Sequence, residues 1–534
     1  MASAGTGTRP IFVVLVAWIA ISAFNYGFGI SELNPLQRVL SCSPIDPKAA
    51  AAAGIKIPPC VPMSDSEFGL ITACFTLGGF LGSLFISPLS SRLRWGRRAG
   101  ILLSAVLNSV GAALLSISVS KGAMSAARFF QGLGAGIGVV VVPLYLNEIS
   151  PPALQGSIGV LNQLGIVFGI MVAQALGALP SVTGPGAKAT AWRMVPLVSC
   201  ASSLLQLLLG AVLPVCGLRV VPESPVWLEE NTGDKAGTGI TTDAEGNDVG
   251  RDGASAAHDV RKRLWAQRAL LDFDQARRDQ GEAGAVSTNE ADEQEQEQEG
   301  LLSASDGGAT DGASSTGRRR QNERTRQLSF FEIWTDADTR RGLSLVVFTQ
   351  LAQQLSGINA VLYYSTGILK KVLPASAELV GLGITVINAL MTFPPIYLID
   401  ESRFGRRKLL LVSASTMSAF AVLLGISING GWRLMSAVAI VGFVAAFSVG
   451  LGPVPFLILP ELVPARAVSA ASSAGLSINW IANFAVGSLF LPVRSALANL
   501  DGGQGGSVFI IFAVVNATSA IVIGRRYRYE ARST

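Results

Sequence analysis

Six apolar stretches fall within residues 11–215 and six more within residues 342–524, each long enough to cross a bilayer. This pattern limits the fold of the 534-residue chain more than any other feature in it. A helix needs roughly 20 apolar residues to span the hydrocarbon core. No water satisfies backbone N–H and C=O groups there, so spans must be helices or parts of a closed barrel, and stretches of this length are helical. Composition agrees: 50% of the residues are hydrophobic and 14% are charged, a balance that suits a chain embedded in lipid. The expected fold class is an all-α membrane protein with twelve transmembrane helices.

Arginine and lysine set sidedness more directly than the net charge of +5 does. Basic clusters stand at Arg92, Arg94, Arg97 and Arg98 between the second and third spans, and at Arg403, Arg406, Arg407 and Lys408 between the eighth and ninth. A third follows the twelfth span, at Arg525, Arg526 and Arg528. Because successive helices alternate in direction, all three fall on one side, which is predicted to be cytoplasmic together with both termini. The residues ahead of the first span are too few and too polar for a cleaved signal, so the first helix is expected to persist. Between the halves, "GDKAGTG", "ADEQEQEQEG" and "DGASSTGRRR" carry few bulky apolar residues. This predicts a disordered insert in a linker, with a short amphipathic helix over residues 259–278. The expected organisation is a cytoplasmic N-terminus at 1–10, a six-helix bundle at 11–221, the linker at 222–341, a second six-helix bundle at 342–524 and a cytoplasmic tail at 525–534.

The halves repeat each other. "WGRR" from Trp95 returns as "FGRR" from Phe404, and "NEISP" from Asn147 returns as "PELVP" from Pro460, at nearly the same offset and on equivalent loops. Two pseudo-symmetric six-helix bundles resemble the major facilitator fold, in which the halves rock about a site near the midplane. "RFFQGLGAGIGVVVVPLYLNEISP", "PESPVWL", "QQLSGINAVLYYS", "RFGRRKLLL" and "GPVPFLILPEL" occur in order on the appropriate helices. Together they resemble the signature segments of the sugar-porter family, which includes the facilitative glucose transporters.

The seventh span keeps polar residues where lipid would disfavour them. Helical steps of about 100° place Gln353, Ser356, Asn359, Tyr363 and Tyr364 on one arc, with Gln354 off it. Amides donate and accept, which suits hydroxyl groups, and they are costly to bury unpaired. Ser356 and Gly357 mark a place where the helix can break. The resemblance implies that Gln163, Gln353, Gln354, Asn359, Asn388, Phe456, Asn479 and Trp480 bind a sugar or polyol; interhelical packing is the competing role, above all for Asn388. Phe456 stands where the family's tenth helix has tryptophan, Ser448 replaces an upstream acid, and Gln155 and Val226 replace expected basic residues.

The resemblance also places Arg128, Glu148, Glu223, Arg403, Arg407, Glu461 and Arg466 at cytoplasmic helix ends, as a charge network closing an inner gate. Arg97, Arg98 and Arg406 serve equally well as topology signals. Proton-linked members carry an aspartate in the middle of the first helix. Gly27 holds that position here, and Glu32 is expected in solvent at the helix's outer end, which favours a uniporter. The glycines at 132, 134, 136 and 138 read as helix-packing positions, not as a phosphate loop. Cys42 and Cys60 share a non-cytoplasmic loop and are predicted to form a disulfide.

The single histidine, His258, lies in the linker, and no cluster of metal ligands or nucleophile–base pair stands out. The expectation is a transporter without enzyme activity or cofactor, a monomer in the bilayer, with a small-molecule sugar or polyol as its partner and no nucleic acid. A non-transporting sugar sensor and a proton-coupled symporter are the alternatives. "FNYGFGISELNPLQ" resembles a fungal vacuole-associated subgroup as well as plasma-membrane glucose carriers, so the vacuolar or the plasma membrane is the expected location.

Overall fold

The computed structural model describes residues 10–42, 60–150, 154–183, 190–212, 221, 223–224, 227, 328–362, 377–399, 404–499 and 505–527. Most of the linker, including the expected helix at 259–278, lies outside the described residues, as do Val226, Tyr363, Tyr364 and Arg403. The chain forms two compact units, Leu15–Ser224 with Ser329–Thr534 and Met1–Val14 with Pro225–Leu328. The first of these carries the membrane helices.

Every regular element among the described residues is helical. The first half comprises α1 (Pro10–Ser31), α2 (Asp65–Leu93), α3 (Arg97–Ile117), α4 (Lys121–Ile149), α5 (Gln155–Gly177) and α6 (Met194–Leu207). The second comprises α7 (Ala337–Leu355), α8 (Ala377–Met391), α9 (Arg406–Asn429), α10 (Arg433–Val449), α11 (Val468–Ala498) and α12 (Val508–Arg526). Twelve candidate membrane spans coincide with these helices or extend them across local breaks. Polar side chains fix where several begin. Ser64 and Glu67 form a reciprocal capping box at α2, Ser120 caps α4, and Asp336 caps α7 through the Thr339 N–H at 3.0 Å. The cap starts α7 at Ala337, a turn ahead of the expected boundary at 342.

Packing within the two halves follows one plan. α3 packs on α4 and α6 just as α9 packs on α10 and α12, and between the halves α2 meets α11 as α5 meets α8. A pseudo-two-fold relation requires this exchange. Backbones approach closely where α2 crosses α4: a Cβ on Gly132 would stand 2.1 Å from the Phe75 carbonyl oxygen, and one on Gly136 would stand 2.1 Å from that of Gly79. These glycines are packing positions, as expected.

α6 is joined to α1 and α3 by polar contacts. Trp18 Nε1 donates to the Gln206 carbonyl at 2.8 Å, Gln206 Nε2 donates to Ser22 Oγ at 3.0 Å, and Asn25 Nδ2 donates to Ser203 Oγ at 3.0 Å. From α3, Asn108 Nδ2 donates to Ser199 Oγ at 2.9 Å and to Ser203 Oγ at 2.7 Å. Three helices of the second half break: α8 is interrupted at Thr392 and resumes as Phe393–Leu398. α7 ends at Ser356 and Gly357, where Gly357 has φ 93°, and residues 358–362 resume as helix. α10 bends through residues 450–453 before a second arm, Val454–Leu462.

Candidate functional site

The α7 break gathers the amides. Phe512 of α12 fills the space a Gly357 side chain would need, 2.6 Å from an ideal Cβ, and Asn516 Nδ2 donates to the freed Ser356 carbonyl at 3.0 Å. Gln353 Nε2 donates to the Leu451 and Gly452 carbonyls at 2.9 and 2.8 Å, satisfying acceptors that the α10 bend leaves open. Asn479 of α11 lies at the centre. Its Nδ2 donates to Gln350 Oε1 and Gln353 Oε1, both at 2.8 Å, and its Oδ1 accepts from Gln354 Nε2 at 2.9 Å. Asn359 Nδ2 donates to Gln354 Oε1 and, at 2.9 Å, to Asn483 Oδ1.

Gln354 is therefore inside the cluster, contrary to its position off the expected arc. A wheel with a constant step assumes an unbroken helix, and the break at Ser356 and Gly357 turns Asn359 back toward Gln354. Gln350 and Asn483 are further members that the sequence reading missed. Each lies one turn along its helix from a recognised amide, at Gln353 or Gln354 and at Asn479, and that spacing was the available signal.

The first half contributes Gln163. It is buried, and its Nε2 lies 3.3 Å from where a Cβ on Gly452 would stand, against the same bend that Gln353 holds. Phe456 is buried on the second arm of α10. Asn388 sits apart from the cluster, where its Oδ1 accepts from Ser448 Oγ at 2.6 Å. Trp480 is 1% exposed and turns toward the first half, edge-on to Tyr26 and Phe75 with ring centroids 5.4 and 5.8 Å away. The amides satisfy one another and nearby carbonyls. A ligand hydroxyl, which both donates and accepts, can replace any of these partners without a change of charge.

The bundles touch toward both ends. At the arginine-rich end Ser87 and Ser469 share a hydrogen bond at 3.3 Å, and at the opposite end Asn34 Nδ2 donates to the Leu362 carbonyl at 3.1 Å. Beside the latter contact a cavity of about 10 Å³, the size of one water, is lined by Ser31, Asn34, Gln174, Leu362, Ile384 and Thr385.

The repeated basic motifs meet the repeated acidic ones. Arg97 pairs with Glu148 at 2.9 Å, and in the second half Arg406 pairs with Glu461 at 2.7 Å. The next arginine in each motif reaches a carbonyl, Arg98 that of Gly210 at 2.6 Å and Arg407 that of Gly524 at 2.6 Å. Arg97, Arg98 and Arg406 thus make contacts of the same kind as the charged residues expected at this end. Glu223 accepts from the Arg98 and Ser224 backbone N–H groups, both at 3.0 Å, and burial pushes its carboxyl above the usual range. Arg466 pairs with Asp336 at 3.1 Å and with Asp338 at 3.5 Å. The Thr339 hydroxyl first, and Arg466 after it, hold the Asp336 carboxyl below its usual range.

Arg128 does not belong to that end. α4 begins at Lys121, which pairs with Glu67 at the start of α2 at 2.6 Å, far along both helices from Glu148. Two turns in, Arg128 Nη1 lies 2.6 Å from Glu32 Oε1, with the two side chains 1% and 0% exposed. Glu32 is correspondingly buried, not solvated, because Arg128 supplies a counter-charge. Cys42 and Cys60 are bonded at this end, with Cα atoms 5.3 Å apart.

A family model described as "Sugar (and other) transporter" matches residues 13–267 and 288–527. The mouse solute carrier family 2, facilitated glucose transporter member 4, is 31% identical over 522 residues, covering 96% of this chain and 86% of the relative. The Saccharomyces cerevisiae vacuolar protein sorting-associated protein 73 is 26% identical over 531 residues, covering 98% and 94%. Among solved structures, the proton:xylose symporter XylE bound to 6-bromo-6-deoxy-D-glucose superposes with a TM-score of 0.66 at 20% identity, covering 96% of this chain and 95% of that one. The expected fold is the one observed, and the mouse relative is by name a transporter, not an enzyme: the chain belongs to the sugar (and other) transporter family.

Proposed function

We propose that the chain carries a hexose or a related polyol by alternating access, as a monomeric uniporter whose rocking bodies are residues 11–221 and 342–524. The observation that carries the reading is the convergence of amides from both halves: Gln163 and Gln353 reach the same α10 bend, and Gln350, Gln354, Asn359 and Asn479 complete the cluster. Neutral amides bind hydroxyls without an obligatory proton. Gly27 supports the uncoupled mechanism, because a Cβ there would stand 1.8 Å from the Ile166 carbonyl oxygen of α5. No carboxylate fits where proton-linked members carry one.

Proton-coupled symport has one observation in its favour, the buried Glu32 beside Arg128. Liposomes with equal sugar on both sides and an imposed pH gradient separate the two readings. Equilibration without accumulation is expected; uphill accumulation that disappears in Glu32→Gln would establish symport. Uptake in a transporter-deficient cell tests transport against the sensor role. The vacuolar membrane, with both termini cytoplasmic, is the proposed location. It draws on "FNYGFGISELNPLQ" and on the name of the yeast relative, and is tested by fluorescent tagging alongside a vacuolar marker.

A further inference from the structure

Arg128 does more than balance Glu32. Its guanidinium carbon lies 4.4 Å from the centroid of the Phe75 ring on α2, within cation–π range. The other side of this contact leads to α11, since Phe75 is edge-on to Trp480 with centroids 5.8 Å apart and an interplanar angle of 66°. Both rings are buried, at 2% and 1% exposure. Trp480 also lies against the α2 backbone, so that a Cβ on Gly79 would stand 2.5 Å from the indole. It therefore has little room to move independently of α2.

On α11, Trp480 stands between the two asparagines that hold the α7 amides. Asn479 precedes it and bonds Gln350, Gln353 and Gln354; Asn483 lies one turn on and accepts from Asn359. We propose that Phe75 is a positioning residue for the sugar site: it transmits the arrangement of the Glu32–Arg128 pair to Trp480, and through the α11 backbone to the amides that bind substrate. The inference rests on the transporter reading for the identity of the ligand, although not for the coupling itself. The aromatic ring is essential. Its face attracts the guanidinium and its ring makes a T-shaped contact with the indole, whereas an aliphatic side chain of similar volume offers neither. When Glu32 loses its charge, the guanidinium redistributes between Gln131, which already accepts from it at 3.2 Å, and the ring. Trp480 receives the change through its contact with the ring.

A double-mutant cycle on the full-length protein in detergent tests this, with D-glucose and myo-inositol as probes in equilibrium binding. Glu32→Gln should shift the Kd of a bound probe by about threefold or more, and the shift should vanish in a Phe75→Leu or Phe75→Met background, which is the signature of coupled sites. Phe75→Tyr should restore it. Fold changes that simply multiply in the double mutant would overturn the proposal. A second measurement needs no ligand. In protein labelled with 5-fluorotryptophan, the 19F resonance that Trp480→Phe removes is assigned to Trp480. Glu32→Gln should move it in the parent and leave it in place in Phe75→Leu or Phe75→Met. A resonance that moves equally with and without the Phe75 ring refutes the relay. If neither probe binds any variant while the 19F coupling holds, the assignment of substrate fails and the relay stands.

Discussion

Arg97 Nη2 lies 2.9 Å from Glu148 Oε1 at the ends of α3 and α4, and the sequence repeat builds the same contact again from Arg406 and Glu461. Both pairs join elements within one half. Under the proposed alternating-access mechanism they would keep each bundle rigid while the halves move against each other. Arg97→Glu is expected to lower the transport rate roughly tenfold, and Arg97→Glu with Glu148→Arg to recover most of it, since residues in direct contact are energetically coupled. Equilibrium affinity for sugar should change by less than about twofold in all these variants. Counterflow in liposomes alongside a binding isotherm measures both quantities.

Gln353→Ala and Asn359→Ala differ in what they uncover. Each removes hydrogen bonds worth about 0.5–1.5 kcal/mol net, so each should weaken sugar binding, by up to roughly tenfold. Gln353→Ala also strips the Leu451 and Gly452 carbonyls of their donor, at about 1–3 kcal/mol for buried groups left unsatisfied. It should therefore lower the melting temperature more than Asn359→Ala, which uncovers only the side-chain oxygens of Gln354 and Asn483, and these amides, unlike backbone carbonyls, can turn to new partners. Binding isotherms and thermal unfolding in detergent check the contrast. Unaltered affinity in both would return the cluster to a packing role.

Removing one partner of the Glu32–Arg128 pair strands a charge in a closed site. Arg128→Leu is expected to destabilise the protein by roughly 3–5 kcal/mol. Adding Glu32→Leu should recover much of that loss, because the charge to be solvated is gone. Thermal unfolding of the three variants is the measurement, and equal damage from the single and double changes would count against it.

Asp336 gives a pH prediction of definite sign. Its carboxyl titrates below the usual range because Thr339 and Arg466 favour the ionised form. The stability it contributes is thus complete above the ordinary aspartate range and is lost only as pH falls through the depressed folded value. Acidifying the medium from pH 7.5 to 5 should leave the Arg466 contact intact. The effect of Asp336→Asn on transport should consequently be the same at both pH values; an effect that disappears at pH 5 would mean that the carboxyl had already been protonated.

Much of the fold was legible because lipid leaves few choices: length and apolarity locate the helices. The α7 break could also be read, since glycine at a polar step needs a reason. Contacts across helices were less accessible. Nothing in "WGRR" says that Arg97 meets Glu148, although the repeat of both motifs hinted that they act together. Arg128 was misplaced by likeness to a charge network, although helix parity alone sets Lys121 and its neighbours at the end opposite the basic loops. Glu32 was read as solvated because its counter-charge is distant in sequence. Gln350 and Asn483 were passed over because they flank the recognised amides by one turn and carry no motif of their own.

The polar seam that binds α6 to α1 and α3 bears on how the chain is made. As α6 leaves the ribosome and enters the bilayer, Ser199, Ser203 and Gln206 have no lipid partner, and Asn25 and Asn108 wait unmatched in helices synthesised earlier. Amides exposed to hydrocarbon are unfavourable until they meet. The first half can therefore close only once its sixth helix has been inserted, and a nascent chain halted after α5 would present a mark of incompleteness for membrane quality control to read.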